Sequence, residues 1–278
     1  MIENHHARGR VLVIAGSDSS GGAGIQADIM TITALGAHAA TAITAITAQD
    51  SRAVHAVHLL PTALVTAQIE RALADPGADA VKIGMLGNAA ITAAVAAVLR
   101  SAAGPPVIID PVLSASSGAR LLAEDAIEVL RAELFPLAML VTPNVPEAAF
   151  LSGIAIHDLP SMELAARSLV AKGKSGAVLV KGGHLPGEMV TDVLATAEGI
   201  RRFEAPRLPG LPRRGTGCTL ASAIAAGIAQ GLALEDSIRC ARAYVRAAIA
   251  TAPETGSGSG FLNHSVTLDQ KRIRMLGG

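Results

Sequence analysis

The chain has no tryptophan, one tyrosine and four phenylalanines, so aromatic residues fill only 2% of its 278 positions. Its core must therefore be built from Ala, Val, Leu and Ile, which suits close-packed helices on a β-branched sheet. Cysteine is almost absent too: Cys218 and Cys240 are too few for a disulfide framework or a cysteine-based metal site. Neither sign of charge is in excess, because 23 Lys and Arg balance 23 Asp and Glu. That balance excludes the broad basic footprint of a nucleic-acid or anionic-membrane binder. Long hydrophobic runs are missing as well. The stretch "AAITAAVAAVL" (89–99) is too short to span a bilayer. The start, "MIENHHARGR", lacks the apolar segment of a secretory signal. The expectation is a cytoplasmic protein whose partner is a small molecule.

What is present is a regular alternation. Strand-like runs occur at 11–16, 39–47, 78–86, 106–112, 138–144 and 176–183. Between them lie helical stretches at 22–36, 62–75, 89–102, 121–134, 145–152 and 161–173. Two extended segments, 190–196 and 200–206, read as an antiparallel pair at a sheet edge, and helices 216–231 and 235–251 follow. Near-continuous Val/Ile strands joined by crossover helices predict an α/β fold with a mainly parallel sheet covered on both faces. No linker divides the chain. One domain over 1–278 is expected, with a core of about 10–252 and tails at 1–9 and 253–278.

In such folds ligands sit at the carboxyl ends of the strands, and the polar and glycine-rich residues gather there. The loop "AGSDSSGGAGIQAD" (15–28) is not a Walker A loop and lacks the dinucleotide fingerprint. It reads either as a strand-to-helix corner or as backbone that lets a ligand approach closely. In "RRGTGCTLASAIAAG" (213–227), Gly215, Thr216, Gly217 and Cys218 open a helix. The amides of Thr216, Gly217 and Cys218 with the positive helix end would cradle an anion, and the same field lowers a thiol pKa. The alternative is a structural cysteine, the reading taken for Cys240 inside the last helix. Asp110 in "IIDPV" and Glu147 in "TPNVPEA" offer oxygens for Mg²⁺, or cap and solvate. Asn144, between two prolines, either reaches a phosphate or caps the next helix; Lys181 either pairs with phosphates or lies solvated.

The ordered set "AGSDSSGGAGIQAD", "KIGML", "DPV", "VTPNVPEA", "VKGGH" and "GTGCTLASAIAA" resembles the hydroxymethylpyrimidine/phosphomethylpyrimidine kinases of thiamine biosynthesis, within the ribokinase-like superfamily. The resemblance covers about residues 10–250. It implies a three-layer α/β/α sandwich and ATP- and Mg²⁺-dependent phosphorylation of 4-amino-5-hydroxymethyl-2-methylpyrimidine, then of its monophosphate. It further implies that Gln49 bonds the aminopyrimidine, with Gly16, Ala23 and Asp28 nearby and Met85 and Val112 as apolar walls. Asp110 and Glu147 would organise Mg²⁺, while Asn144, Lys181 and Gly183 face the ATP phosphates. Cys218, with Gly215, Thr216 and Gly217, would stand at the anion hole beside the hydroxymethyl group, as proton acceptor or hydrogen-bond partner. Relatives of this kind imply a homodimer.

The chain departs from the family pattern at three places. Arg214 replaces a histidine before Gly-Thr-Gly, Asp50 replaces an asparagine, and Gly118-Ala119-Arg120-Leu121-Leu122 replaces Gly-Asp-Pro-Leu-Leu. Arg120, Arg213 and Arg214 read as solvated loop arginines, with steering of anionic substrates as the other reading. Two rivals stand beside the pyrimidine kinase: a pyridoxal kinase, and a non-catalytic pyrimidine-binding regulatory module.

Overall fold

A computed structural model describes residues 9–102, 104–114, 121–210, 213–253 and 260–267. Gly118, Ala119 and Arg120, and most of both terminal tails, lie outside the described residues. Nine strands form one sheet: β1 (Arg10–Asp18), β2 (His38–Gln49), β3 (Val54–Leu59), β4 (Ala80–Ile83), β5 (Val107–Ile109), β6 (Ala138–Val141), β7 (Ala177–Val180), β8 (Met189–Thr196) and β9 (Gly199–Pro206). Their spatial order is β3-β2-β1-β4-β5-β6-β7-β8-β9. From β2 to β7 every neighbouring pair is parallel. The two margins are antiparallel, β3 on β2 and β8–β9 on β7.

The helices are α1 (Gly24–Ala34), α2 (Thr62–Ala74), α3 (Ala89–Ala102), α4 (Glu124–Val129), α5 (Val145–Ser152), α6 (Leu159–Gly173), α7 (Thr216–Ala229) and α8 (Leu234–Ala250). Strand alternation assigns them to layers. In β1, Leu12 and Ile14 point into a core shared with Val65, Ile69, Val95 and Leu169 of α2, α3 and α6. Val11, Val13 and Ala15 point the other way, against Ile32 of α1, Ile224 of α7 and Tyr244 of α8. Both faces of the central strands are therefore buried, which is why their sequences run apolar without alternation. Helix α7 is buried all round from Thr219 to Gly227. Its Gly227 lets α8 close in: a Cβ there would sit 2.8 Å from Ser237 Oγ.

Three expectations change. The hairpin strand β3 was not anticipated, because "VHAVHL" lies on an exposed edge and carries two histidines. The helix expected over 121–134 is shorter: α4 passes into a π-turn (Leu130–Leu134) and a 3₁₀ turn (Phe135–Leu137) that holds Pro136. Cys240 is exposed rather than buried. Helix α8 turns Ile238, Ala241, Tyr244 and Ala248 inward, and position 240 falls off that stripe. Among the described residues no helix is long and apolar enough to cross a membrane.

Candidate active site

The carboxyl ends of the parallel strands open onto one cleft of about 1130 Å³, room for two small molecules side by side. Gly16, Ala23, Gln49, Met85 and Val112 line it, as do Asp110, Glu147, Asn144, Lys181, Gly183 and the run Gly215–Cys218. Residues expected from seven separate stretches thus meet in space. Asp28 is the exception, being fully buried behind the wall.

The loop after β1 is held open by its own side chains. Asp18 accepts from the Ser20 amide at 2.8 Å, the Ser20 hydroxyl at 2.7 Å and the Ala23 amide at 2.9 Å. Gln26 accepts from the Asp18 amide and donates to Ser17 Oγ. Across the cleft mouth, Ser19 Oγ donates to the Gln49 carbonyl at 2.9 Å and accepts from its amide at 2.8 Å. A register shift at Ala48/Gln49 breaks the β2–β3 ladder at this point, and such irregularities re-aim side chains at strand ends.

Helix α7 begins beside this loop. Gly215 is its N-cap, in the left-handed region at φ 76°. A side chain there would run into the Gly22 carbonyl, so only glycine permits the two loops to touch. At Gly217 a Cβ would stand 3.0 Å from Lys181 Nζ and 3.5 Å from Asp110 Oδ2. The bare amide end of the helix therefore faces a buried ion pair, in which Lys181 Nζ lies 2.7 Å from Asp110 Oδ1. Burial opposes the Lys181 charge, but Asp110 and Glu147 outweigh it and hold the ammonium above its ordinary range.

Glu147 and Asn144 form a capping box on α5: the Glu147 amide donates to Asn144 Oδ1 at 2.9 Å, and the Asn144 amide donates to Glu147 Oε2 at 2.8 Å. Of the two readings left open for Asn144, capping is realised, while its residue still borders the cleft. Burial pushes the Glu147 carboxyl up to about 7, with Lys181 pulling against it and Asp110 adding to it.

Beneath Cys218 lies a side-chain chain around Asp28, whose other members, Lys82 and Ser222, sequence reasoning missed. Lys82 is wholly buried and reaches Asp28 Oδ2 at 2.8 Å, while Ser222 Oγ donates to Asp28 Oδ1 at 2.7 Å. Gly84 makes room, since a Cβ there would meet Lys82 Nζ at 2.9 Å. Burial works against the Lys82 charge, and the carboxylates of Asp28 and Asp110 overcome it, so this lysine stays protonated. The "KIGML" stretch held the signal, a lysine and a glycine inside an otherwise apolar strand end.

The thiol departs from expectation. The helix end should lower its pKa, yet burial pushes Cys218 up to about 11. Lys82 opposes that rise, whereas Asp28 and Asp110 add to it. Desolvation and two nearby carboxylates outweigh the helix field. Cys218 is a protonated thiol at neutral pH.

Arg214 also overturns its reading as a solvated loop residue. It is 7% exposed. Its guanidinium donates to the Asp50 carbonyl, to Ser20 Oγ at 3.4 Å and to Asp18 Oδ2 at 3.5 Å. Asp18 and Asp50 lie more than 160 residues earlier in the chain, which is why local sequence does not disclose them. Arg213 stays partly exposed and donates to the Pro253 carbonyl.

A family model described as phosphomethylpyrimidine kinase matches residues 18–263. A hydroxymethylpyrimidine/phosphomethylpyrimidine kinase of Rhizobium meliloti is 46% identical over 256 residues, covering 91% of this chain and 96% of its own. The thiamine biosynthesis bifunctional protein ThiED of Geobacter sulfurreducens is 45% identical over 96% of this chain, which spans 54% of that longer protein. Among solved structures, an ADP complex of Bacillus subtilis pyridoxal kinase superposes with a TM-score of 0.85 at 32% identity, covering 96% of this chain and 99% of the other.

Proposed function

Because this chain belongs to the phosphomethylpyrimidine kinase family, we propose that it phosphorylates 4-amino-5-hydroxymethyl-2-methylpyrimidine with ATP and then phosphorylates the monophosphate to the diphosphate. The observation that carries the reading is the convergence of Gln49, the amide end of α7 and the Lys181–Asp110 pair on one cleft. The pyrimidine ring lies at the Gln49 end, between Met85 and Val112, with Gly16 and Ala23 close to it. ATP enters past Asn144, Lys181 and Gly183.

In the first transfer the hydroxymethyl oxygen attacks the γ-phosphorus, the bond to the β-phosphate oxygen breaks, ADP leaves and the alcohol proton passes by way of a phosphate oxygen to solvent. Little covalent work falls to the protein in such a step; positioning and charge neutralisation dominate. The amides of Thr216, Gly217 and Cys218 and the Lys181 ammonium serve the transferred group. Cys218, protonated below about 11, holds the hydroxymethyl oxygen by a hydrogen bond. Asp28 acts from behind by fixing Lys82.

Asp110 and Glu147 fit Mg²⁺ by their chemistry: two buried carboxylates bordering the cleft. Among the described residues no larger cluster of His, Cys, Asp or Glu forms a metal cage. Magnesium characteristically takes one or two carboxylates and completes its shell with water and phosphate oxygens. Held by Asp110 and Glu147, it would supply neutralisation of phosphate charge.

The likeness to a pyridoxal kinase structure gives a second reading, phosphorylation of a pyridine hydroxymethyl group. Identities of 45–46% to proteins named for thiamine biosynthesis or pyrimidine kinases, against 32% to that structure, favour the pyrimidine. The test is direct. Purified protein with Mg-ATP should convert the aminopyrimidine alcohol to mono- and diphosphate, followed by mass, with kcat/KM well above that for pyridoxal. Equal or reversed values overturn the assignment, and pyrimidine binding without turnover would make the protein a sensor.

A further inference from the structure

Arg214 belongs to none of the roles assigned above, yet it is a buried cation on the cleft wall. Its position in the chain is the last residue before the N-cap of α7. Its own amide donates to the Gly260 carbonyl at 3.1 Å, so its backbone is anchored independently of its side chain. From that anchor the guanidinium crosses to two other segments. One is the tip of the glycine-rich loop, through Ser20 Oγ and Asp18 Oδ2. The other is the residue that follows Gln49, through the Asp50 carbonyl.

Each contact lies one step from a group that borders the pyrimidine end. Asp18 carries the Ala23 amide at 2.9 Å. Asp50 is fixed from its other side as well: Oδ1 accepts from the Arg52 and Ala53 amides at 2.7 and 2.9 Å, and Oδ2 meets His55 Nε2 at 2.7 Å. The hairpin tip is thus a stiff unit, and the place where it is fastened decides where Gln49 points. Gly215, packed on the Gly22 carbonyl, leaves no play between α7 and the loop. A forked, planar guanidinium reaches the three acceptors from two separate nitrogens, whereas a lysine carries all its donors on one.

We infer that Arg214 is a positioning residue for the pyrimidine end of the site, fastening the glycine-rich loop and the end of β2 to the start of α7 so that Gln49 is held at a set distance from the phosphoryl-transfer end. The inference rests on the reading of Gln49 as the pyrimidine contact. It makes Arg214 a determinant of acceptor affinity that acts through Gln49 and leaves the ATP end alone.

Two measurements on the full chain test it. Hydrogen exchange on R214M and R214K, without ligand, should quicken in residues 17–23 and 49–54 and stay unchanged in α5 and around Lys181. Steady-state kinetics on the wild type, R214M, R214K, Q49A and R214M/Q49A should show R214M raising KM for the aminopyrimidine alcohol by about ten-fold or more, the scale of a lost charged hydrogen bond. KM for ATP should hold within about two-fold, and R214M should add less than about two-fold in the Q49A background, because coupled residues are not additive. If R214M does not fold, R214K is read in the same way, since it keeps the charge and loses the fork. Unchanged exchange, equal rises in both KM values, or fully multiplicative effects would overturn the inference. Quickened exchange in the variants, together with a wild type that does not phosphorylate the aminopyrimidine, would overturn the functional reading instead.

Discussion

Cys218 shows how far a single residue escapes its neighbours in sequence. Its place in the first turn of α7 is legible from "GTGC", and so is the favourable helix field. The surroundings that reverse the outcome are not, because Asp28 and Asp110 arrive from other strands and burial is a property of the fold. If the thiol serves as a hydrogen-bond partner, Cys218→Ala should lower kcat by roughly 10²-fold, as loss of a donor at a charge-developing oxygen does elsewhere. Cys218→Ser should retain most of what Ala loses. A full wild-type kcat in the Ala variant would remove the thiol from the chemistry. The raised pKa also has a thermodynamic signature. The folded thiol, at about 11, keeps its proton above the ordinary value of 9.0. Stability from this group is therefore complete below 9.0, and it declines as pH rises through about 11. Urea unfolding between those limits should fall less steeply for Cys218→Ala than for the wild type; parallel curves would contradict the shift.

At the scale of elements, the sequence discloses what is periodic and hides what is joined. The parallel strands are recognisable because both faces are buried and the Val/Ile runs are unbroken, and α1, α3, α6, α7 and α8 lie within a few residues of expectation. The antiparallel margin β8–β9 is equally readable. Strand β3 is not, since its exposed histidines resemble a loop. The end of α4 is altered by a π-turn that no spacing rule announces. The joint between α7 and the glycine-rich loop rests on Gly215, whose positive φ and close approach to Gly22 both forbid a side chain. Gly215→Ala should cost about 1–3 kcal/mol from backbone strain alone, read as a lower urea midpoint, with a loss of kcat from the displaced helix end. An unchanged midpoint would mean that the loops can part without penalty.

The whole molecule is electrically neutral, yet its cleft is not. Five arginines and two lysines line it against four carboxylates. Cations concentrated in a concave, partly desolvated wall focus the field toward an incoming polyanion, and salt screens that attraction. Raising KCl from about 0.05 to about 0.5 M should therefore increase KM for ATP several-fold while kcat changes much less. A flat KM would show that the positive lining is fully compensated by its internal ion pairs. The same wall is assembled from both ends of the chain: Asp18 meets Arg214, Asp28 meets Ser222, Gly22 packs near Gly215, and Phe261 closes on Gly22. A polypeptide still emerging from the ribosome holds the glycine-rich loop from its first moments but lacks the start of α7 and the Phe261 ring that pack on it. The enzyme's workplace is finished only when the last helices and the segment behind them are released, so a nascent or prematurely stopped chain is inert however well its early strands have paired.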